Sequence, residues 1–221
     1  MNVLHFVTSF FTDGAHWSGY DGIPTRLLEH LTYSLEALGL AALIGLPVGL
    51  VTGHYGKGGN ALTLLATAAR ALPTFGLLVL IVMVAGFGML PVMIPLVVLA
   101  VPPILVTTYE AMRSVEPSPV DAARGMGMRE SDILLRVELP VALPLILGGL
   151  RSAAIQIIST ATIAAYVSLG GLGRYIVDGL YQHNYEKVVG GATLVAALAL
   201  ATLAVFWAAA RAAVSPGVRQ T

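Results

Sequence analysis

Cysteine is absent from all 221 residues. That excludes a disulfide framework, a thiolate zinc site and a catalytic thiol, and leaves the redox compartment undetermined. Charge is almost as scarce. Asp, Glu, Lys and Arg make up 11% of the chain, against about 25% in soluble domains. Hydrophobic residues make up 57%, and the mean hydropathy is +0.83. An integral membrane protein is therefore expected. The 12 Lys and Arg balance the 12 Asp and Glu, so bulk charge provides no attraction for nucleic acid. No internal repeat is visible. No positive stretch precedes an apolar core at the start, so a cleaved signal peptide is not expected. One membrane domain with short tails accounts for the length.

The scarcity is uneven. Ten of the 24 charged residues fall within the 32 positions from Tyr109 to Pro140, and none lies between Ala71 and Tyr109. A polar island between apolar runs is an element held at a membrane surface, where something outside the membrane must read it. Pro117 and Pro119 can end one helix and begin another, because proline fixes φ and suits a first helical turn. Ser118 sits where an N-cap would satisfy free amides. Asp121 falls in the expected first turn, where the helix dipole favours a carboxylate. Ala122 and Ala123 leave a flat face, and Gly125 and Gly127 permit a sharp change of backbone direction. Ile133, Leu134 and Val137 form an apolar stripe leading into Leu139-Pro140.

The apolar runs predict five membrane spans, at about 29–51, 73–88, 91–109, from after Pro140 to about 167, and 188–210; a bilayer requires roughly 20 residues, which the second falls short of and the fourth exceeds. Residues 1–28 form a polar-aromatic tail, either lying along the headgroups or disordered. In the first span, Gly45, Pro47 and Gly49 predict a kink or a close neighbour. Glu36 either lines a polar path or reaches the interface. The Gly-Lys-Gly-Gly run around Lys57 is not a Walker loop, because Gly58 stands where Ser or Thr is needed. It predicts a turn and then a short surface helix ending at Arg70. Pro95, Pro102 and Pro103 are expected to break the third span, as packing kinks or beside a transport path. Arg151 in the fourth span is expected to reach its cytoplasmic end. Beyond it, Gln156, Ser159, Thr160, Thr162 and Tyr166 either line a hydrophilic path or act as glue between helices. Glycines 170, 171 and 173 end that span, and a short outer helix follows. His54 and His183 have no ligand spacing around them and read as no metal site. Within the spans, beyond Glu29 at the edge of the first, only Glu36 and Arg151 are charged, at distant depths, which argues against an embedded enzyme.

With the island on the cytoplasmic side, Lys57, Arg70, Arg113, Arg124, Arg129, Arg136, Arg211 and Arg219 are inside, while Arg26, Arg174 and Lys187 are outside. This follows the positive-inside rule and puts the N-terminus outside and the C-terminus in the cytoplasm. The expected organisation is an extracytoplasmic tail (1–28), a transmembrane domain (29–213) with a cytoplasmic loop (110–140), and a cytoplasmic tail (214–221).

The sequence Asp121-Ala122-Ala123, three residues, Gly127, nine residues, Val137, one residue and Leu139-Pro140 resembles the EAA loop of ABC importer permeases. Asp121 replaces Glu and Val137 replaces Ile in that pattern. The resemblance implies an all-α polytopic fold of the type I importer permeases, with five transmembrane helices and a cytoplasmic coupling helix. It implies that Ser118, Asp121, Ala122, Ala123, Gly125, Gly127, Met128, Val137, Leu139 and Pro140 dock an ATPase. ATP and magnesium would bind that partner, with no cofactor on this chain. The other implied partners are a second permease subunit, the same chain or a related one, an extracytoplasmic substrate-binding protein and the lipid bilayer. The segments 121–128, 137–144, 148–151 and 170–173 are similar to permeases of osmoprotectant importers, which carry glycine betaine, choline or related quaternary amines. A permease for methionine or another amino acid is the alternative, and a stand-alone channel or carrier a more remote one.

Overall fold

The computed structural model describes residues 2–167 and 169–213, except the Arg70 side chain. The expected cytoplasmic tail 214–221, with Arg219, lies outside the described residues. These contain helices and no strand. In chain order the helices are α1 (Val3–Thr12), α2 (Ile23–Tyr55), α3 (Gly59–Ala71), α4 (Thr74–Ala85), α5 (Met89–Arg113), α6 (Pro117–Gly125), α7 (Glu130–Ile133), α8 (Leu139–Ala161), α9 (Gly173–Tyr181) and α10 (Tyr185–Ala213). A π-turn over Leu134–Glu138 joins α7 to α8, and a 3-10 turn over Thr162–Val167 extends α8. The result is one long helical path from Glu130 to Val167.

Helix α2 begins at Ile23 rather than near Glu29, with Pro24 in its first turn. Arg26 and Glu29, which look like a polar edge in sequence, pair with each other inside the helix. The tail ahead of it is ordered. Phe10 of α1 is fully buried against Gly190 of α10, stacks on His16 at 4.3 Å and meets the Tyr175 ring edge-on at 5.3 Å.

The centre of the bundle is α5, enclosed by α2 and α8. In a bilayer apolar burial does not drive helices together, so close packing of small residues must. One face of α2 carries Ala37, Ala41, Gly45, Gly49 and Gly53, all buried. A Cβ at Gly45 would lie 3.0 Å from Ile104, at Gly49 2.7 Å from Thr108, and at Gly53 2.5 Å from Met112. Only glycine admits that approach. The pairs advance together along both helices, so α2 and α5 run parallel.

That parallel run has a topological consequence. The segment between α2 and α5 must return the chain from the Tyr55 end of the bundle to the Ile23 end. Four helices are long and apolar enough to cross a membrane, and the pair α3–α4, bent by 81°, gives a fifth if it is one span. Helix α4 alone has 12 residues, about 18 Å, short of a hydrocarbon core of about 30 Å. The expected span 73–88 is occupied by α4 over Thr74–Ala85, which is too short to cross alone; with α3 it makes one crossing if the bent pair is a single span. The prolines of α5 do not break it. Pro95, Pro102 and Pro103 are all buried inside one continuous helix, and its enclosure holds helical geometry despite the missing donors. Helix α8 runs antiparallel to α5, with Gly149 against Thr107 and Ala142 near Ala111.

Candidate functional site

The candidate site is the loop that α6 forms at the Tyr55 end of the bundle. The helix has two faces. Val120 and Ala123 are buried against Ile133, with Val115, Met128 and Val137 around them. Ser118, Asp121, Ala122 and Gly125 are exposed, and their spacing puts them on one stripe. Ser118 is not the N-cap. Pro117 starts the helix at N1, so the cap position falls on Glu116, without a side-chain bond. Asp121 accordingly lies beyond the first turn, and its carboxylate accepts from Arg124 at 3.5 Å.

Gly127 has a definite task. The Gly127 N–H donates to the Arg124 carbonyl at 3.0 Å and the Met128 N–H to the Ala123 carbonyl at 3.1 Å. This is a Schellman cap, which requires a left-handed residue at C′; Gly127 supplies φ +83°. The Met128 side chain then packs against Ala123. Val137 and Leu139 are half-buried and Pro140 is exposed. The candidate docking residues thus divide into an exposed set on α6 and a supporting set beneath it.

Beneath the loop lies a polar chain that the sequence did not reveal. Arg124 grips Glu130 through Nε at 2.7 Å and Nη2 at 3.0 Å. Glu130 Oε2 lies 3.1 Å from Nε2 of His54. The other ring nitrogen of His54, Nδ1, lies 2.5 Å from Glu138 Oε2. His54 is on the last turn of α2, and both its side chain and that of Glu138 are under a tenth exposed. A reading of His54 as a lone histidine holds only along the sequence. Its partners are 76 and 84 positions away, and no local pattern announces them.

The π-turn is what brings the two carboxylates to one ring. Residues eight apart on a plain α-helix point about 80° apart, and one inserted residue reduces that to about 20°. The Leu139 N–H donates to the Leu134 carbonyl, five residues back. Pro140 provides a reason for the insertion: in an α-helix its ring would strike the carbonyl four residues before it, and a widened turn removes the clash.

The candidate pathway residues are not gathered within the single chain. Ser159 and Tyr166 are exposed and Gln156, Thr160 and Thr162 half-buried on α8 and its extension, while Glu36 is exposed on α2. Thr162 bonds the Ser159 carbonyl at 2.7 Å, and the Tyr166 ring meets Phe75 at 5.3 Å. Among the described residues no hydrogen bond joins Glu36 to the α8 set. Arg151 is exposed.

The opposite end of α2 carries a second polar knot, also missed in the sequence. Arg26, 7% exposed in its side chain, pairs with Asp21 and with Glu29 at 2.8 Å. Glu29 accepts from the Gly171 N–H at 2.7 Å. Tyr175 on α9 donates to the Asp21 carbonyl at 2.5 Å. Burial pushes the Tyr175 phenol up to about 12, so this donor keeps its proton at any physiological pH.

Comparison with known proteins agrees with this geometry. Residues 45–220 match the family described as the binding-protein-dependent transport system inner membrane component. The chain is similar to the choline transport system permease protein OpuBB of Bacillus subtilis (strain 168), at 34% identity over 175 residues, 79% of this chain and 81% of that protein. It is also similar to the carnitine transport permease protein OpuCB of Listeria monocytogenes, at 31% identity over 194 residues, 88% of this chain and 87% of that protein. Among solved structures, a chain of the MetNI methionine ABC transporter in an inward-facing conformation shares the fold, with a TM-score of 0.74 at 22% identity over 86% of this chain and 95% of that chain. The chain belongs to the inner membrane components of binding-protein-dependent transport systems, the permease subunits of type I ABC importers, and stands close to their osmoprotectant branch.

Proposed function

We propose that this chain forms half of an import path for a quaternary-amine osmoprotectant such as choline, carnitine or glycine betaine, driven by a cytoplasmic ATPase that docks on the exposed stripe of α6. The observation that carries the substrate class is the 34% and 31% identity, across most of the chain, to permeases named for choline and carnitine. The mechanical part rests on α6. Its buried face is fixed to the bundle by Val120 and Ala123, while Ser118, Asp121, Ala122 and Gly125 present a flat surface to a partner. A second permease subunit completes the path, because Ser159 and Tyr166 of α8 are exposed on the single chain and need a facing surface to enclose a polar route. An extracytoplasmic binding protein delivers the substrate at the α9 end. ATP binding moves the subunits only so far as it favours one conformation over another.

Two experiments test this reading. With its ATPase and binding protein, in cells stripped of other uptake systems, the chain should accumulate radiolabelled choline or glycine betaine. Ala122→Arg, which puts a charge into the docking stripe without meeting anything within the chain, should cut uptake by more than about tenfold, as for a residue at the centre of an interface. Accumulation of methionine alone would overturn the substrate assignment, and normal uptake by Ala122→Arg the docking assignment. The second experiment uses the absence of native cysteine. Ser118→Cys should react with an impermeant maleimide only from the cytoplasmic side, and Tyr181→Cys, on the exposed end of α9, only from outside. Labelling of both from one side is incompatible with the proposed orientation.

A further inference from the structure

The polar chain beneath α6 has a use beyond holding the loop. Docking at α6 displaces a short helix in the cytoplasm, whereas substrate passage requires the long helices to move. Some contact must join the two. The apolar contacts of α6 reach Val115, Ile133 and Val137, all on the segments immediately before and after it. The only polar path among the described residues from α6 to another long helix runs Asp121, Arg124, Glu130, His54. It ends on α2, and α2 carries the glycine stripe that packs along α5.

We propose that His54, held between Glu130 and Glu138, is the joint through which a displacement of α6 reaches α2. The proposal rests on the coupling reading of α6 given above and assigns the residue that carries the motion onward. Its geometry suits the task. One ring reaches both carboxylates at once, with Nε2 3.1 Å from Glu130 and Nδ1 2.5 Å from Glu138. Glu130 moves with Arg124, through a two-pronged bond. Glu138 sits where α8 begins and is 6% exposed, so it is the fixed jaw. Glu130, 44% exposed in its side chain, is the moving one. The π-turn between them sets the alignment: without its inserted residue Glu130 would sit about 100° round the helix from its present place relative to Glu138, and one ring could not meet both. His54 is therefore a positioning residue that acts through the loop and touches no substrate.

The test uses the complete transporter in proteoliposomes, with its ATPase and a binding protein loaded with choline or glycine betaine. Three readouts separate the roles: co-purification of the ATPase, ATP hydrolysis with and without the loaded binding protein, and substrate uptake. In His54→Ala and in the near-isosteric Glu138→Gln, the ATPase should remain bound while stimulation of hydrolysis by the loaded binding protein falls by about tenfold, within the range of coupling between linked sites. The double variant should be no worse than either single, because both break one joint. Stimulation within about twofold of the parent protein in both single variants overturns the proposal. Loss of ATPase co-purification overturns it as well, since the joint would then only shape the docking surface. Ala122→Arg run alongside keeps the two readings apart: if that variant still binds and responds to the ATPase, the docking assignment itself is wrong.

Discussion

Helix α2 carries a histidine towards each end, and their settings differ. His30 is fully buried, with Nε2 on the Ile158 carbonyl at 3.0 Å and Nδ1 without a partner among the described residues. His54 has a carboxylate at each nitrogen. The knots around them differ in the same way. At the Ile23 end Glu29 bonds a backbone N–H, that of Gly171, and a nearly buried guanidinium. At the Tyr55 end each bond joins one side chain to another, and the far partner, Arg124, is half exposed on a helix with a free face. A backbone donor in a packed loop cannot move without the loop. A side-chain donor on α6 moves whenever α6 does. The same types of residue thus make an anchor at one end of α2 and a joint at the other.

The largest expected effect tests the anchor. Arg26→Ala leaves Glu29 partly buried without its cation, and breaking a buried pair by removing one partner costs about 3 kcal/mol or more. Arg26→Lys restores charge without the fork that reaches Asp21 and Glu29 together, and should recover part of that cost. Thermal unfolding in detergent, followed by tryptophan fluorescence, measures both. The order expected, from lowest midpoint to highest, is Arg26→Ala, Arg26→Lys and parent. His54→Ala leaves Glu138, 6% exposed, without its ring partner, so it should lower the midpoint as well. If Arg26→Ala unfolds at the parent midpoint, the Asp21–Arg26–Glu29 knot is not an anchor.

How much of this was legible in the sequence follows from the range of each interaction. The island 109–140 was visible because charge scarcity is local, and α6 was visible because Pro117 and Gly127 bracket it. The sequence places α2 but predicts its start at about 29 rather than at Ile23. Glu29 looks like an edge until Arg26, one turn before it, is seen to neutralise it. The second crossing is only partly legible, because hydropathy counts apolar residues and not direction, and the 81° bend between α3 and α4 has no compositional mark. The joint at His54 was illegible for a different reason. Its partners are far away in the chain, and their alignment depends on a π-turn whose only local sign is Pro140. A proline in that position ordinarily suggests a helix start, and the sequence accordingly predicts the fourth span after it.

The smallest expected effect compares two glycines, one in each knot. Gly127 and Gly171 both hold left-handed φ, +83° and +86°. Changing either to alanine should cost about 1–2 kcal/mol from backbone strain alone. Their surroundings separate them. A Cβ on Gly127 meets nothing within 4 Å, whereas one on Gly171 lies 3.1 Å from Nδ1 of His30, itself buried with no room to retreat. Gly171→Ala should therefore lower the unfolding midpoint more than Gly127→Ala. The Gly127 variant should show its cost locally, as faster amide exchange in α6 with α2 unchanged, because a frayed Schellman cap loosens one helix end and not the bundle. Equal midpoints for the two variants would mean that the loop at Gly171 yields as readily as the cap at Gly127. The knot at the Ile23 end would then have no better claim than the one at the Tyr55 end to be the fixed end of α2.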